Sequence, residues 1–278
     1  MQRSLVTGRH NKVRLLGSSW IKARDSIVQH VRDGNQLITV IGRAGSGKTT
    51  LLLSLCDYVQ CLYTDMAGAG DRDLSAVTAS IAMDNMDKIV ELQGELRREK
   101  GDLRAFSRLG AYDLMELARS KPLTFLRMLN EAASRRGWRV VMEVDEGLLS
   151  QDDPRAFRFI EAMHGFRNNM RLLDSIYLVV TMLPDVVDLI AKVDMPLFEV
   201  MRLATVMLPD YVGPDDLQEV ASALSLTPEM IEKISRLGPL TMRQLMCVAL
   251  NPSDVSKCGI DEIVMNPMEE AEVEVQQQ

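Results

Sequence analysis

Gly42-Arg43-Ala44-Gly45-Ser46-Gly47-Lys48-Thr49 meets the pattern G-x-x-x-x-G-K-[ST] at every required position. Directly before it, Gln36–Ile41 (QLITVI) is a nearly continuous apolar run, as in a strand buried within a parallel sheet. Directly after it, Thr50–Tyr58 (TLLLSLCDY) reads as a helix. Glycines let the backbone curl so that successive N–H groups face one anion. The positive end of the following helix adds to that field. The segment is therefore expected to cradle the phosphates of a nucleoside triphosphate. Gly42, Arg43, Ala44, Gly45, Ser46, Gly47, Lys48, Thr49 and Thr50 are the expected contacts, with Lys48 on the β- and γ-phosphates and the Thr49 hydroxyl on Mg²⁺.

Outward from the loop, β-rich apolar runs recur at Val59–Thr64, Arg139–Asp145, Ser175–Thr181 and Arg202–Leu208. Helical spacing precedes the first strand, from Trp20 to the Asp33-Gly34 stop. Leu74–Arg136 is helical in several pieces, interrupted near Gly94, Gly101, Gly110 and Pro122, and Arg155–Asn168 is one further helix. Beyond the fifth run the pattern becomes wholly helical. Pro214–Leu224, Pro228–Leu237 and Pro239–Leu250 are each expected to open with a proline near the first helical position. Strands alternating with helices predict an α/β, three-layer P-loop NTPase fold with a parallel sheet between helices and a small C-terminal helical lid. The expected organisation is an ATPase domain over 1–211, a lid over 212–252 and a largely disordered tail over 253–278.

Composition narrows the class further. The formal net charge of −7 argues against a chain that coats nucleic acid uniformly. Charge is nonetheless uneven: Arg3, Arg9, Lys12, Arg14, Lys22 and Arg24 crowd the start, and EEAEVEVQQQ closes the chain. No apolar run approaches the roughly 18–20 residues that cross a bilayer, and the basic N-terminus lacks an apolar signal core, so a cytoplasmic protein with no membrane contact is expected. Cys56, Cys61, Cys247 and Cys258 form no C-x-x-C pair and are expected to be buried as separate small apolar side chains.

The third run, RVVMEVDE, ends in two acids at the carboxyl edge of the sheet, where ligands of open α/β sheets bind. Asp145 is expected to hold Mg²⁺ with Thr49. Glu146 is expected to orient or deprotonate the attacking water. Glu143 competes for that role, but an acid inside a buried strand is unusual, and position favours Glu146. The fourth run ends in Thr181, whose hydroxyl could sense the γ-phosphate or bond a neighbouring backbone.

These elements, in this order, resemble the additional-strand, catalytic-glutamate P-loop ATPases, in particular the AAA+ superfamily, and within it archaeal initiator-like and STAND-like ATPases. The resemblance implies that Gly42–Thr49 is Walker A, Val140–Glu146 is Walker B and Thr181 is sensor 1. It further implies that VRLLGSSW walls the adenine pocket, that Arg202 is an arginine finger and that Arg243, in SRLGPLTMRQLMCVAL, is sensor 2. Initiator-type relatives carry a winged-helix domain after the lid, and none is expected within the 28 residues after Leu250. The implied activity is ATP hydrolysis that switches homo-oligomerisation and contact with DNA or a DNA-bound protein. Arg155, Arg158, Arg167, Asn168, Asn169 and Arg171 offer a basic and polar group that could touch phosphates, or simply a solvated helix face. Two other readings stay open at this point. One is a regulatory module that binds ATP without hydrolysing it. The other is a phosphotransferase that closes Arg97, Arg98 and Arg104 over its phosphates.

Overall fold

In the computed structural model, strand β1 (Leu37–Ile41) is buried along its whole length, as its nearly continuous apolar sequence requires. The structure describes residues 14–94, 96, 101–148, 150, 152–252 and 254–260. Arg3, Arg9, Lys12, Arg97, Arg98 and the acidic tail lie outside the described residues. Helix α1 (Ser18–Arg32) precedes β1, followed by α2 (Lys48–Leu55) and β2 (Gln60–Asp65). A helical stretch comes next: α3 (Leu74–Asp84), α4 (Met86–Gly94), α5 (Asp102–Phe106), α6 (Ala111–Ser120) and α7 (Pro122–Arg135). Then follow β3 (Val140–Leu148), α8 (Ala156–Asn169), β4 (Ile176–Met182), α9 (Pro184–Val193), α10 (Met195–Arg202) and β5 (Thr205–Met207). The chain continues through α11 (Pro214–Ala223), α12 (Pro228–Arg236) and α13 (Met242–Leu250).

The five strands form one sheet in the order β2-β3-β4-β1-β5, with every pairing parallel. β4 therefore stands between the strand that feeds the phosphate loop and the strand that carries Asp145 and Glu146 and runs on to Leu148. Side chains alternate across a strand, and β3 shows what each face meets. Val140, Met142 and Val144 join a core with Phe125, Leu126 and Leu129 of α7 and Phe159, Met163 and Phe166 of α8. Glu143 and Asp145 point the other way, toward the helix that opens at the phosphate loop. Helices thus cover both faces, giving the three-layer α/β fold.

Contacts divide the chain into two compact units. One holds Ala23–Gly42 and Lys48–Met207; the other holds Leu16–Lys22, Arg43–Gly47 and the described residues from Leu208 onward. The second unit has its own small core of Val220, Ile234, Leu237, Leu240, Leu245 and Val248. Pro214 and Pro228 open their helices as expected. α13 differs from its expected start at Pro239: Thr241 caps it, and Gln244 returns a side-chain bond to the cap N–H. A capping box satisfies two otherwise orphaned donors, which a proline start does not.

Two expectations need correction. Arg202, placed by its sequence at the start of the fifth strand, is instead the last residue of α10, and β5 begins only at Thr205. The four cysteines are not separate thiols. They form the disulfides Cys56–Cys61 and Cys247–Cys258, with Cα–Cα distances of 5.2 and 5.5 Å. Those distances lie within the span a disulfide bridges; the turns that create them leave no C-x-x-C signature.

Phe166 is fully buried in the larger core. Phe166→Ala should cost about 3–5 kcal/mol of unfolding free energy, because a phenyl-sized hole is left in packed surroundings. Denaturant titration followed by far-ultraviolet circular dichroism measures it.

Candidate functional site

At the carboxyl edge of the first unit's sheet, one carboxylate gathers the neighbouring groups. Asp145, 1% exposed, accepts the Thr49 hydroxyl at 2.5 Å and the Tyr63 hydroxyl at 3.3 Å on Oδ2. Its Oδ1 accepts the Thr181 hydroxyl at 2.6 Å and the Glu146 main-chain N–H at 3.1 Å. Tyr63 and Asp145 come from β2 and β3, whose parallel register sets Asp65 opposite Asp145. Thr181 reaches it from β4 and Thr49 from α2, so four chain segments converge on the acid. Burial and the neighbouring acid together push the Tyr63 phenol far above its usual range, with burial the larger cause. Tyr63 therefore stays a hydrogen-bond donor at any physiological pH.

Glu146 is held on both sides of its α-carbon. Its N–H donates to the Thr181 hydroxyl oxygen at 3.0 Å as well as to Asp145. Its carbonyl accepts Nη1 of Arg72 at 2.8 Å. The backbone there has φ of 50°, the left-handed region that a glutamate seldom adopts. The β3–β4 register shifts between Val144 and Leu148, so the strand bulges where Glu146 leaves it. Such a kink re-aims a side chain at the sheet edge.

Glu143 has a different fate. It is fully buried, lies 3.9 Å from Cys56 Sγ, and its Oε1 has no hydrogen-bond partner among the described residues. Burial pushes its carboxyl well above the usual carboxylate range, against the pull of Lys88. Its carboxylate and the sulfurs of Cys56 and Cys61 lie within 4.8 Å of one another, but those sulfurs are bonded to each other.

The phosphate loop has the backbone its glycines permit: φ is 80° at Gly45 and 91° at Gly47. Lys48 Nζ donates to the Gly42 carbonyl at 2.7 Å. Thr50 is exposed on the first turn of α2. Within the second unit, the middle of the loop is tied down tightly. Trp20 donates to the Ser46 carbonyl at 2.6 Å, and the Arg243 N–H donates to the Gly45 carbonyl at 3.0 Å. A β-carbon on Gly47 would sit 3.1 Å from the indole nitrogen of Trp20, and one on Gly45 3.2 Å from Thr241 Oγ1. Arg43 pairs with Asp210 at 3.0 Å, and Ala44 is exposed beside it.

The outlying arginines are placed differently. Arg202 is exposed and pairs with Glu199 one turn away. Of the basic group on and around α8, Arg155 is engaged by Asp153 and the Ala69 carbonyl, and Arg158 pairs with Glu161. Sequence reasoning missed Tyr63 and Arg72, and it placed Trp20 only within the stretch expected to wall the adenine pocket, not as a donor to the Ser46 carbonyl. An arginine two residues ahead of an apolar helix carries no motif, and only its burial reveals it.

No protein-family model matches the chain, and no curated protein does. Solved structures do. The Walker-type ATPase PABY2304 of Pyrococcus abyssi superposes with a TM-score of 0.55 at 15% identity, covering 85% of this chain and 69% of that one. Cdc6p from Pyrobaculum aerophilum superposes with a TM-score of 0.50 at 15% identity, covering 91% of this chain and 66% of that one. At such identities the likeness establishes a shared fold. This chain spans about two thirds of each protein's length.

Thr181 is fully buried and serves Asp145 as donor and Glu146 as acceptor. Thr181→Val should destabilise by about 1–3 kcal/mol for the buried groups it leaves unpaired. Thr181→Ser, which keeps both bonds, should lose little; chemical denaturation of the two variants separates them.

Proposed function

We propose that this chain is a Mg²⁺-dependent ATPase of the AAA+ type whose nucleotide state switches self-association and contact with nucleic acid. The observation that carries the reading is the hydrogen-bonded run from Thr49 through Asp145 to Thr181 and Glu146 at one sheet edge. It joins the residue that ends the phosphate-loop motif to the acid pair of β3. The fold shared with a Walker-type ATPase agrees with it.

The donor set suits the metal. Thr49 Oγ1 and Asp145 Oδ2 are hard oxygen donors lying 2.5 Å apart, the ligand type that Mg²⁺ prefers. Bound Mg²⁺ would neutralise charge on the phosphates. Lys48 would exchange the Gly42 carbonyl for phosphate oxygens, because an anion is the stronger partner for its ammonium. Glu146 would accept hydrogen bonds from the attacking water and take its proton as the water oxygen bonds to the γ-phosphorus and the bond from that phosphorus to the departing ADP oxygen breaks. Thr181 would keep Asp145 and the Glu146 backbone in register.

Arg202, exposed at the end of α10, is suited to serve a neighbouring copy in trans, which is how an arginine finger adds transition-state charge stabilisation. Arg243, whose main chain binds the loop at Gly45, would respond to nucleotide as sensor 2. DNA is the proposed polymer partner on the strength of the family resemblance.

Steady-state ATP hydrolysis by wild type, Lys48→Ala and Glu146→Gln, with and without single- and double-stranded DNA, tests the reading. Lys48→Ala should lose nucleotide binding. Glu146→Gln should keep binding, lose turnover by about 10²-fold or more, and accumulate an ATP-bound oligomer on sizing. Tight ATP binding by wild type with no turnover under any of these conditions would refute hydrolysis.

A further inference from the structure

Arg72 lies in the connection between β2 and α3 and is 0% exposed. A guanidinium is almost never enclosed unless its donors are met. Nη1 donates to the Glu146 carbonyl at 2.8 Å and Nη2 to the Met66 carbonyl at 3.3 Å. The Asp153 carboxylate stands 3.8 Å from Nη1. Asp153 also holds Arg155 at 2.9 Å, and Arg155 returns to the Ala69 carbonyl at 2.7 Å. Met66 in turn donates its N–H to the Asp145 carbonyl at 3.0 Å. Two guanidinium groups around one carboxylate therefore stitch the segment after β2 to the segment after β3.

The stitch meets the chain where the backbone is least relaxed. Glu146, at φ of 50°, has its N–H bound by Thr181 and Asp145 and its C=O bound by Arg72. Both peptide groups flanking its α-carbon are thus fixed, and with them the direction in which its Cβ leaves the strand. Without Arg72 the following peptide group loses this restraint, and the backbone can relax toward an ordinary extended conformation that carries the carboxylate to another place.

We infer that Arg72 is a positioning residue for hydrolysis, holding Glu146 in the left-handed conformation that aims its carboxylate at the attacking water. The inference rests on the reading of Glu146 as the group that activates water. It assigns Arg72 no contact with nucleotide, which separates it from an arginine finger or a sensor. Its signature is a change in the rate of chemistry with no change in binding.

The test uses the full chain with Arg72→Gln, Arg72→Lys, Glu146→Gln and the double variant Arg72→Gln/Glu146→Gln. Turnover is measured at saturating ATP, and Kd with a fluorescent ATP analogue. Arg72→Gln should lower kcat by about 10²-fold, the penalty of roughly 1 Å of misplacement, and leave Kd unchanged. Arg72→Lys, which can still reach a carbonyl, should recover part of kcat. The double variant should be no slower than Glu146→Gln alone, because both act on one step. Wild-type kcat in Arg72→Gln beside an inactive Glu146→Gln would overturn the inference alone, as would fully additive losses in the double variant. Wild-type turnover in Glu146→Gln would overturn the reading of Glu146 and the inference with it. Should Arg72→Gln lose its cooperative unfolding transition, Arg72→Lys decides by the same comparison: reduced kcat with unchanged Kd supports the inference, and unchanged kcat refutes it.

Discussion

The Asp145 carboxylate organises this edge of the sheet. It is almost completely enclosed, yet it receives three hydroxyls and one main-chain N–H, so its desolvation is compensated by donors from four segments. A buried carboxylate stripped of such partners would cost several kcal/mol. The dependence runs in both directions. The acid can be buried because Thr49, Tyr63 and Thr181 arrive together, and they arrive together because parallel pairing puts the ends of β2, β3 and β4 at one level. The strand order matters to the same end. With β4 between β1 and β3, a residue on β4 can bond both acids of β3 while Thr49, on the helix that follows β1, bonds Asp145.

Glu146 shows how a costly local conformation persists in this setting. A non-glycine residue in a sparsely populated backbone region costs about 1–3 kcal/mol. A hydrogen bond to a charged donor such as Arg72 contributes about 1.5–3 kcal/mol, and the N–H bonds to Thr181 and Asp145 add to it. The restraints match or exceed the strain, so the bulge in β3 is a stable feature. Removing one restraint leaves the balance near zero, which is the condition under which a side chain begins to wander.

Much of this was legible in the sequence. The five apolar runs became the five strands, and the phosphate-loop motif fell between a buried strand and a helix, because those signals depend on residues adjacent in the chain. The meeting of Thr49, Asp145 and Thr181 followed once each was known to end or follow a strand of one parallel sheet. What escaped depends on pairs remote in sequence. Arg72 bonds a carbonyl 74 residues away, and a carbonyl has no sequence signature. Trp20 lies in the stretch expected to wall the adenine pocket, but its bond to the Ser46 main chain, 26 residues on, has no sequence signature either. The disulfides depend on how tightly the chain reverses between α2 and β2 and after α13. Arg202 was misplaced because MRLATVM is apolar enough for either element, and the helix capped by Asp194 reaches through it.

β3 carries three acids within four residues, and their fates follow from depth along one strand. Glu143, inside the sheet, meets Cys56 Sγ and feels the more distant Lys88 cation and Asp145 acid, and burial drives its carboxyl toward the neutral form. Asp145 is two residues further along, roughly 6.6 Å at the rise of a strand. There, hydroxyls of the neighbouring segments can reach it. Glu146 sits at the rim, where its backbone is bound but its side chain is only partly enclosed. Within a parallel sheet every main-chain donor is taken by the ladder, so an acid in the middle of a strand can find only side-chain partners. At the carboxyl edge the β3 ladder is interrupted, and the last residues of β2 and β4 and the start of α2 bring the hydroxyls of Tyr63, Thr181 and Thr49. The bulge turns the Glu146 N–H to Asp145 and Thr181. That supply of donors, rather than the acids themselves, is why Asp145 gathers hydroxyls and Glu143 does not.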